Sequence, residues 1–374
     1  MAVDAMATPR AVFDSEHKDY RESFRHFLEQ EVVPNYQEWQ KAGTFDRAIF
    51  PTAAQQGFVA MQVPERLDGL GIDDLRFSIV LAEEAAEAGV AAFGLALGAH
   101  NDLGVPLLLA GSEADTDLQA LASGRLLSAT ITDAQSVQAQ AGSDGWRIQG
   151  GASTVVGASV ADVLVVLLPD GDAATLVAIP TTTRGVRVAP ADARIGMRAC
   201  PVGHVVLEDV RLPFSAALGP RHTGADVLAP ELARRRLTLG ATALGLSRSA
   251  LRWTVEYVRD RRAFGQAIAS FENTRLMLGD AVARIDASEL VLDAALADAG
   301  AGRLDPRRAS VAKLACTTAL AAVVDCGVQL HGGYGYMLEY PIAHAYVDAR
   351  MLRLLGGSDE ELRLMVAAAA GVSL

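Results

Sequence analysis

The chain has 374 residues, of which 51% are hydrophobic and 21% charged, the balance of a globular protein long enough for two or three compact regions and unlike that of a disordered chain. Its formal net charge of -12 argues against nucleic acid or an anionic membrane as a general partner, while leaving room for a local basic pocket that takes a phosphate-bearing ligand. Cys200, Cys316 and Cys326 form no paired framework and no metal-ligand spacing, the start "MAVDAMATPRAVF" lacks a basic region followed by an apolar run, and no uninterrupted apolar stretch nears ~20 residues; a soluble protein of the reducing cytoplasm, without a metal, is expected.

From Ser15 to about Ser123 apolar residues recur at helical spacing, as in "YRESFRHFLEQEVV" and "FSIVLAEEAAEAGVAAFGLALG", broken at Pro34, Gly57 and "PERLDGLGIDD". Between Leu126 and about Pro213 the texture turns to short β-branched runs, "DVLVVLLP", "TLVAIP", "GVRVAP" and "GHVVLEDVRLP", which predict a small, mainly antiparallel β domain. From Leu228 onward three long helical patterns return, and their length predicts an up-and-down bundle with an oligomer surface. Expected boundaries are therefore 1–124, 125–222 and 223–374. The expected class is α+β, mainly α.

One short stretch near the end poses a question. In "DARMLRLLGGSDEELR", Arg350 and Arg353 suit the last turn of a helix, and Ser358 with Glu361 reads as a capping box opening the next. That explains a turn, but not two adjacent glycines, Gly356 and Gly357.

Four motifs in order, "VPERLDGLGID", "IGMRACPVGHVVLEDVRLP", "RDRRAFGQAIASFE" and "QLHGGYGYMLEYPIAHAYVDAR", resemble the acyl-CoA dehydrogenase family of flavoproteins over nearly the whole chain. The resemblance implies an N-terminal helical domain, a middle β barrel or sandwich and a C-terminal four-helix bundle. It also implies a homo- or hetero-oligomeric dimer or tetramer, an acyl-CoA or other acyl thioester as substrate, an electron-transfer acceptor, a place in fatty-acid metabolism, and FAD shared between two subunits. For one half of the flavin site it points to Arg261, Phe264, Ile268, Gln329, Gly332 and Gly333. The glycines lack a Cβ and would let backbone approach a pyrophosphate or ribose, and Arg261 offers a fixed cationic fork. Taken singly, an Arg-Phe-Gly turn and a Gly-Gly loop are helix punctuation.

The other half departs from the family pattern. Of its Thr-Glu-Pro loop only Thr132 matches, with Asp133 in place of Glu, and where the family sets a Trp and a Thr beside the flavin ring "QGGASTVVGAS" offers Thr154 and Val156. Ser358 keeps the hydroxyl after the terminal turn, with Glu360 beyond it. The family's catalytic Glu, a carboxylate of raised pKa that removes the α-proton, comes either from just before the Gly of that turn or from the helix opening the bundle. Here those positions hold Gly356, as in the long-chain and isovaleryl-like subgroup, and Arg235, which stays protonated. The nearest acid is Glu231, one turn earlier on the same face; it also suits a helix N-terminus through the dipole. Asp359, Glu360 and Glu361 read as first-turn charges and His331 as a packing residue. Arg236 matches a substrate-side arginine. The run Arg234, Arg235 and Arg236 either attracts a phosphate-bearing carrier or forms a solvated face. Two functions follow: an FAD-dependent oxidoreductase acting on an acyl thioester, with an altered base or reaction, or a catalytically silent subunit lending half a flavin site to an active partner.

Overall fold

The computed structural model describes residues 10–111 and 115–372. Its first layer is helical: α1 (Ser15–Phe27), α2 (Val33–Ala42), α3 (Ile49–Gln55), α4 (Leu75–Glu87), α5 (Ala91–Ala99), α6 (Val105–Gly111) and α7 (Asp115–Ala122). A π turn, His100–Gly104, joins α5 to α6. Phe24, Phe27, Phe58 and Phe93, all nearly inaccessible, cluster at the centre of this layer. The apolar runs thus close on one another before the β domain begins.

Seven strands follow: β1 (Ser128–Ile131), β2 (Val137–Ala141), β3 (Gly145–Val156), β4 (Val163–Asp170), β5 (Ala173–Pro180), β6 (Val186–Pro190) and β7 (Val202–Pro213). They form two sheets, β1-β4-β5 and β2-β3-β7-β6, packed face to face around Ile131, Ile148, Leu164, Val166, Val177 and Val210. The run "VLVVLLPD" lacks alternation because β4 is central and buried on both faces. One pairing departs from the antiparallel expectation: β1 runs parallel to β4, Ser128 opposite Val163.

The chain then enters α8 (Gly224–Asp260), followed by a two-residue ribbon β8 (Arg262–Ala263) and β9 (Gln266–Ala267), then α9 (Glu272–Gly300), α10 (Pro306–His331), α11 (Pro341–Leu352) and α12 (Asp359–Ala369). Four of these, α8 to α11, pack as the bundle. The stretches Ala91–Gly111 and Pro306–Tyr336 match a membrane span in length and composition, a pattern not expected from the sequence. In the first, 78% of the apolar window is buried inside the protein.

α8 also packs on α4, and a charge network crosses that contact. Glu83 is fully buried and receives Arg10, Arg21 and Arg248. Burial opposes its ionisation, but the three guanidinium groups outweigh it and hold the carboxyl at about 2. Arg248 thus ties the middle of α8 to α4 through Glu83 and Glu87.

Candidate functional site

Where α8 ends and α10 stops, the chain leaves an open cleft of about 630 Å³ lined by Tyr257, Arg261, Ile268, Gln329, Gly332, Gly333 and Tyr334 among others. α10 terminates because Gly332 takes a left-handed φ of 59°. A Cβ built on Gly332 or Gly333 would meet nothing within 4 Å, so both backbones are bare toward open space. The Arg261 guanidinium lies 5.6 Å from the centre of the Tyr334 ring, and Tyr257 stacks on His331 at 4.2 Å. His331 bonds through Nδ1 to the Gly327 carbonyl oxygen, and burial lowers its pKa. The cleft thus combines bare backbone, aromatic faces and one exposed cation, a set able to hold an anionic group beside a flat ring.

Of the residues singled out from the sequence, Arg261, Ile268, Gln329, Gly332 and Gly333 meet here. Phe264 is not among the lining residues and is 97% exposed. Thr132, Ser358, Glu360, Glu231 and Arg236 are not among the lining residues. Tyr257, Tyr334 and Met337 belong to the cleft and were not anticipated; the signal for Tyr257 is its position one helical turn before Arg261.

The double glycine has a structural account. Gly356 and Gly357 have φ of 67° and 100°, a region in which a Cβ clashes with the following carbonyl. Their carbonyl oxygens are held from two helices of the bundle: Arg236 Nε donates to Gly356 O at 2.8 Å and Lys313 Nζ to Gly357 O at 2.6 Å. Lys313 is completely buried, which pulls its amine down to about 8. Ser358 and Glu361 form the expected capping box. Asp359, in the first turn of α12 as expected, is 2% exposed and accepts from Arg353 Nε at 2.6 Å.

The arginine run is neither a solvated face nor an open phosphate seat. Arg235 and Arg236 are each 6% exposed, and Arg234 is tied to Asp73. The Arg235 guanidinium turns away from its own helix toward the α5–α6 junction. Its Nη1 lies 3.2 Å from Asp102 Oδ2 and 3.2 Å from Thr238 Oγ1, and its Nη2 donates to Leu95 O at 2.9 Å. Gly98 makes this approach possible, because a Cβ there would stand 2.3 Å from Nη1. The second Asp102 oxygen, Oδ1, is buried without a partner.

Glu231, one turn before Arg235, is half-buried and its Oε2 also lacks a hydrogen-bond partner. Arg234 Nε is 3.7 Å away, too far to donate. Burial raises the Glu231 pKa; Arg234 opposes that, while Asp73 and Asp102 add to it. So a carboxylate stands beside each side of the position that the sequence gives to Arg235: Asp102 across the helix interface and Glu231 along it. Asp102 went unnoticed because its segment "GAHNDLG", set between apolar runs, carries no local motif.

Residues 14–125 match the model described as acyl-CoA dehydrogenase, N-terminal domain, and residues 222–371 match acyl-CoA dehydrogenase, C-terminal domain. The long-chain specific acyl-CoA dehydrogenase of Sus scrofa mitochondria is 32% identical, over 96% of this chain and 87% of that one. Among solved structures, an acyl-CoA dehydrogenase from Geobacillus kaustophilus superposes with a TM-score of 0.90 at 25% identity, over 97% of this chain and 100% of that one. An acyl-CoA dehydrogenase complexed with FAD from Bacillus anthracis does so with a TM-score of 0.88 at 25% identity, over 98% of this chain and 68% of that one.

Proposed function

The chain belongs to the acyl-CoA dehydrogenase family, and from that premise we propose that it is an FAD-dependent oxidoreductase acting on an acyl thioester, of the long-chain or isovaleryl-like type, with its base moved from both usual positions. The observation that carries this reading is the cleft at the ends of α8 and α10. Its residues fit a flavin nucleotide: Gly332 and Gly333 are bare toward open space, Arg261 is an exposed cation for a diphosphate, and Tyr257 and Tyr334 offer aromatic faces. Bound there, FAD would supply the hydride acceptor. This chain's residues would bind and orient it, and the rest of its seat, with Thr132, Ser358 and Glu360, would come from another subunit's surface.

The relatives' printed names support an acyl-CoA substrate, and three free thiols suit a reducing cytoplasm. A second reading, a silent subunit that lends this cleft to an active partner, is favoured by one observation: Gly356 carries no acid and Arg235 is a cation locked onto Asp102. Purification alone separates them. A yellow protein that reduces an artificial electron acceptor with a panel of acyl-CoAs supports the enzyme; a colourless one that turns yellow only with a co-expressed relative supports the silent subunit.

A further inference from the structure

Resting on the reading of an acyl thioester oxidoreductase, we propose that Glu231 is the proton acceptor for the substrate's α-carbon, and that Gly98 and Asp102 keep it available by drawing Arg235 away. Removing a proton from carbon requires a carboxylate oxygen shielded from water, free of donors and open to a ligand. Among the described residues, three carboxylates have a buried oxygen without a partner: Asp102, Glu231 and Asp359. Asp359 is 2% exposed, with Arg353 bonded to its other oxygen at the start of α12. Asp102 is 4% exposed and faces Arg235. Only the Glu231 side chain, 22% exposed, can be reached from outside.

The positions of Glu231 and Arg235 make their separation informative. A Glu four residues before an Arg is the favoured orientation for an ion pair along a helix, and that pair would hold Glu231 ionised and occupied. It does not form. Arg235 instead bonds to Thr238 on its own helix and reaches across to Asp102 and the Leu95 carbonyl, through space that exists only because residue 98 has no Cβ. The remaining charges facing Glu231 are Arg234, beyond bonding reach, and Asp73 with Asp102, which favour its protonated form. A half-buried carboxylate oxygen left without a hydrogen-bond donor weakens the fold, a cost typical of groups kept for chemistry. In the step itself the α C–H bond breaks, its electron pair stays on the thioester enolate, and the proton passes to a Glu231 oxygen. Gly98 and Asp102 are positioning residues.

The step can be isolated from oxidation. The full-length, FAD-loaded protein is incubated in D₂O with an acyl-CoA analogue carrying sulfur at the β position, which cannot give up a hydride, and deuterium at the α-carbon is followed by mass spectrometry alongside thermal melting. The wild type should incorporate deuterium, Glu231→Gln should slow this by about 10² to 10⁴-fold with an unchanged or raised Tm, and Glu231→Asp should recover part of it. Gly98→Ala, whose Cβ would crowd both Arg235 Nη1 and Asp102 Oδ2 and so break their contact, should move the pH midpoint of exchange downward as Arg235 returns to Glu231; this decides the matter if the Gln variant does not fold. Wild-type exchange by Glu231→Gln, no exchange in a wild type that binds both FAD and analogue, or an unmoved midpoint in Gly98→Ala overturns the proposal. A wild type that binds neither FAD nor analogue overturns the oxidoreductase reading instead.

Discussion

Gly356 carries no side chain because none fits: a Cβ there would sit 2.8 Å from Leu239 Cδ1 at a left-handed φ of 67°. Gly356→Ala should therefore lose about 1–3 kcal/mol in urea unfolding, and a variant as stable as the parent would contradict the strain. Lys313 makes a pH-dependent prediction. Its folded pKa, about 8, lies below its ordinary 10.5, so the unfolded chain binds the extra proton between those values. Its contribution is present above pH 10.5 and is lost as pH falls through about 8. Unfolding free energy should rise from pH 8 toward 10.5 in the wild type, and Lys313→Met should flatten that slope. At this scale the sequence was legible in part. The capping box of Ser358 and Glu361 could be read from spacing alone, whereas the burial of Asp359, Arg235 and Arg236 could not, since a helical pattern does not reveal how many faces will be covered.

Among the elements, α8 is the one that the site depends on. Its 37 residues were legible as a long helix from their 3.6-residue period, and the β-branched runs announced the strands. The parallel pairing of β1 with β4 and the contact of Arg235 with Asp102 were not, because each joins residues far apart in sequence with no turn chemistry between them. That contact is a buried ion pair, so breaking one side should cost more than replacing both. Asp102→Asn should lose about 3–5 kcal/mol, whereas Asp102→Leu with Arg235→Met should recover most of it. A double variant no better than the single would show that Asp102 matters for packing and not for charge. The measurement is a double-mutant cycle by denaturant unfolding.

For the whole molecule, the legible part was the order of three regions and the meeting of Arg261, Ile268, Gln329, Gly332 and Gly333 in one cleft; in "ITDAQSVQAQAG" only Thr132 carried a match, and it lies outside that cleft. Arg261 is the exposed cation of the cleft proposed for the flavin, and a charged hydrogen bond is worth about 1.5–3 kcal/mol. Arg261→Ala should weaken FAD affinity by roughly tenfold or more, read by flavin fluorescence titration, with Tm of the flavin-free protein unchanged. An equal affinity would place the nucleotide elsewhere. The cleft lies open at the surface. On the proposed sharing of each flavin between two chains, colour becomes a reading of mass action: diluting the protein should bleach it before it unfolds, and concentrating it should restore the yellow without any added cofactor.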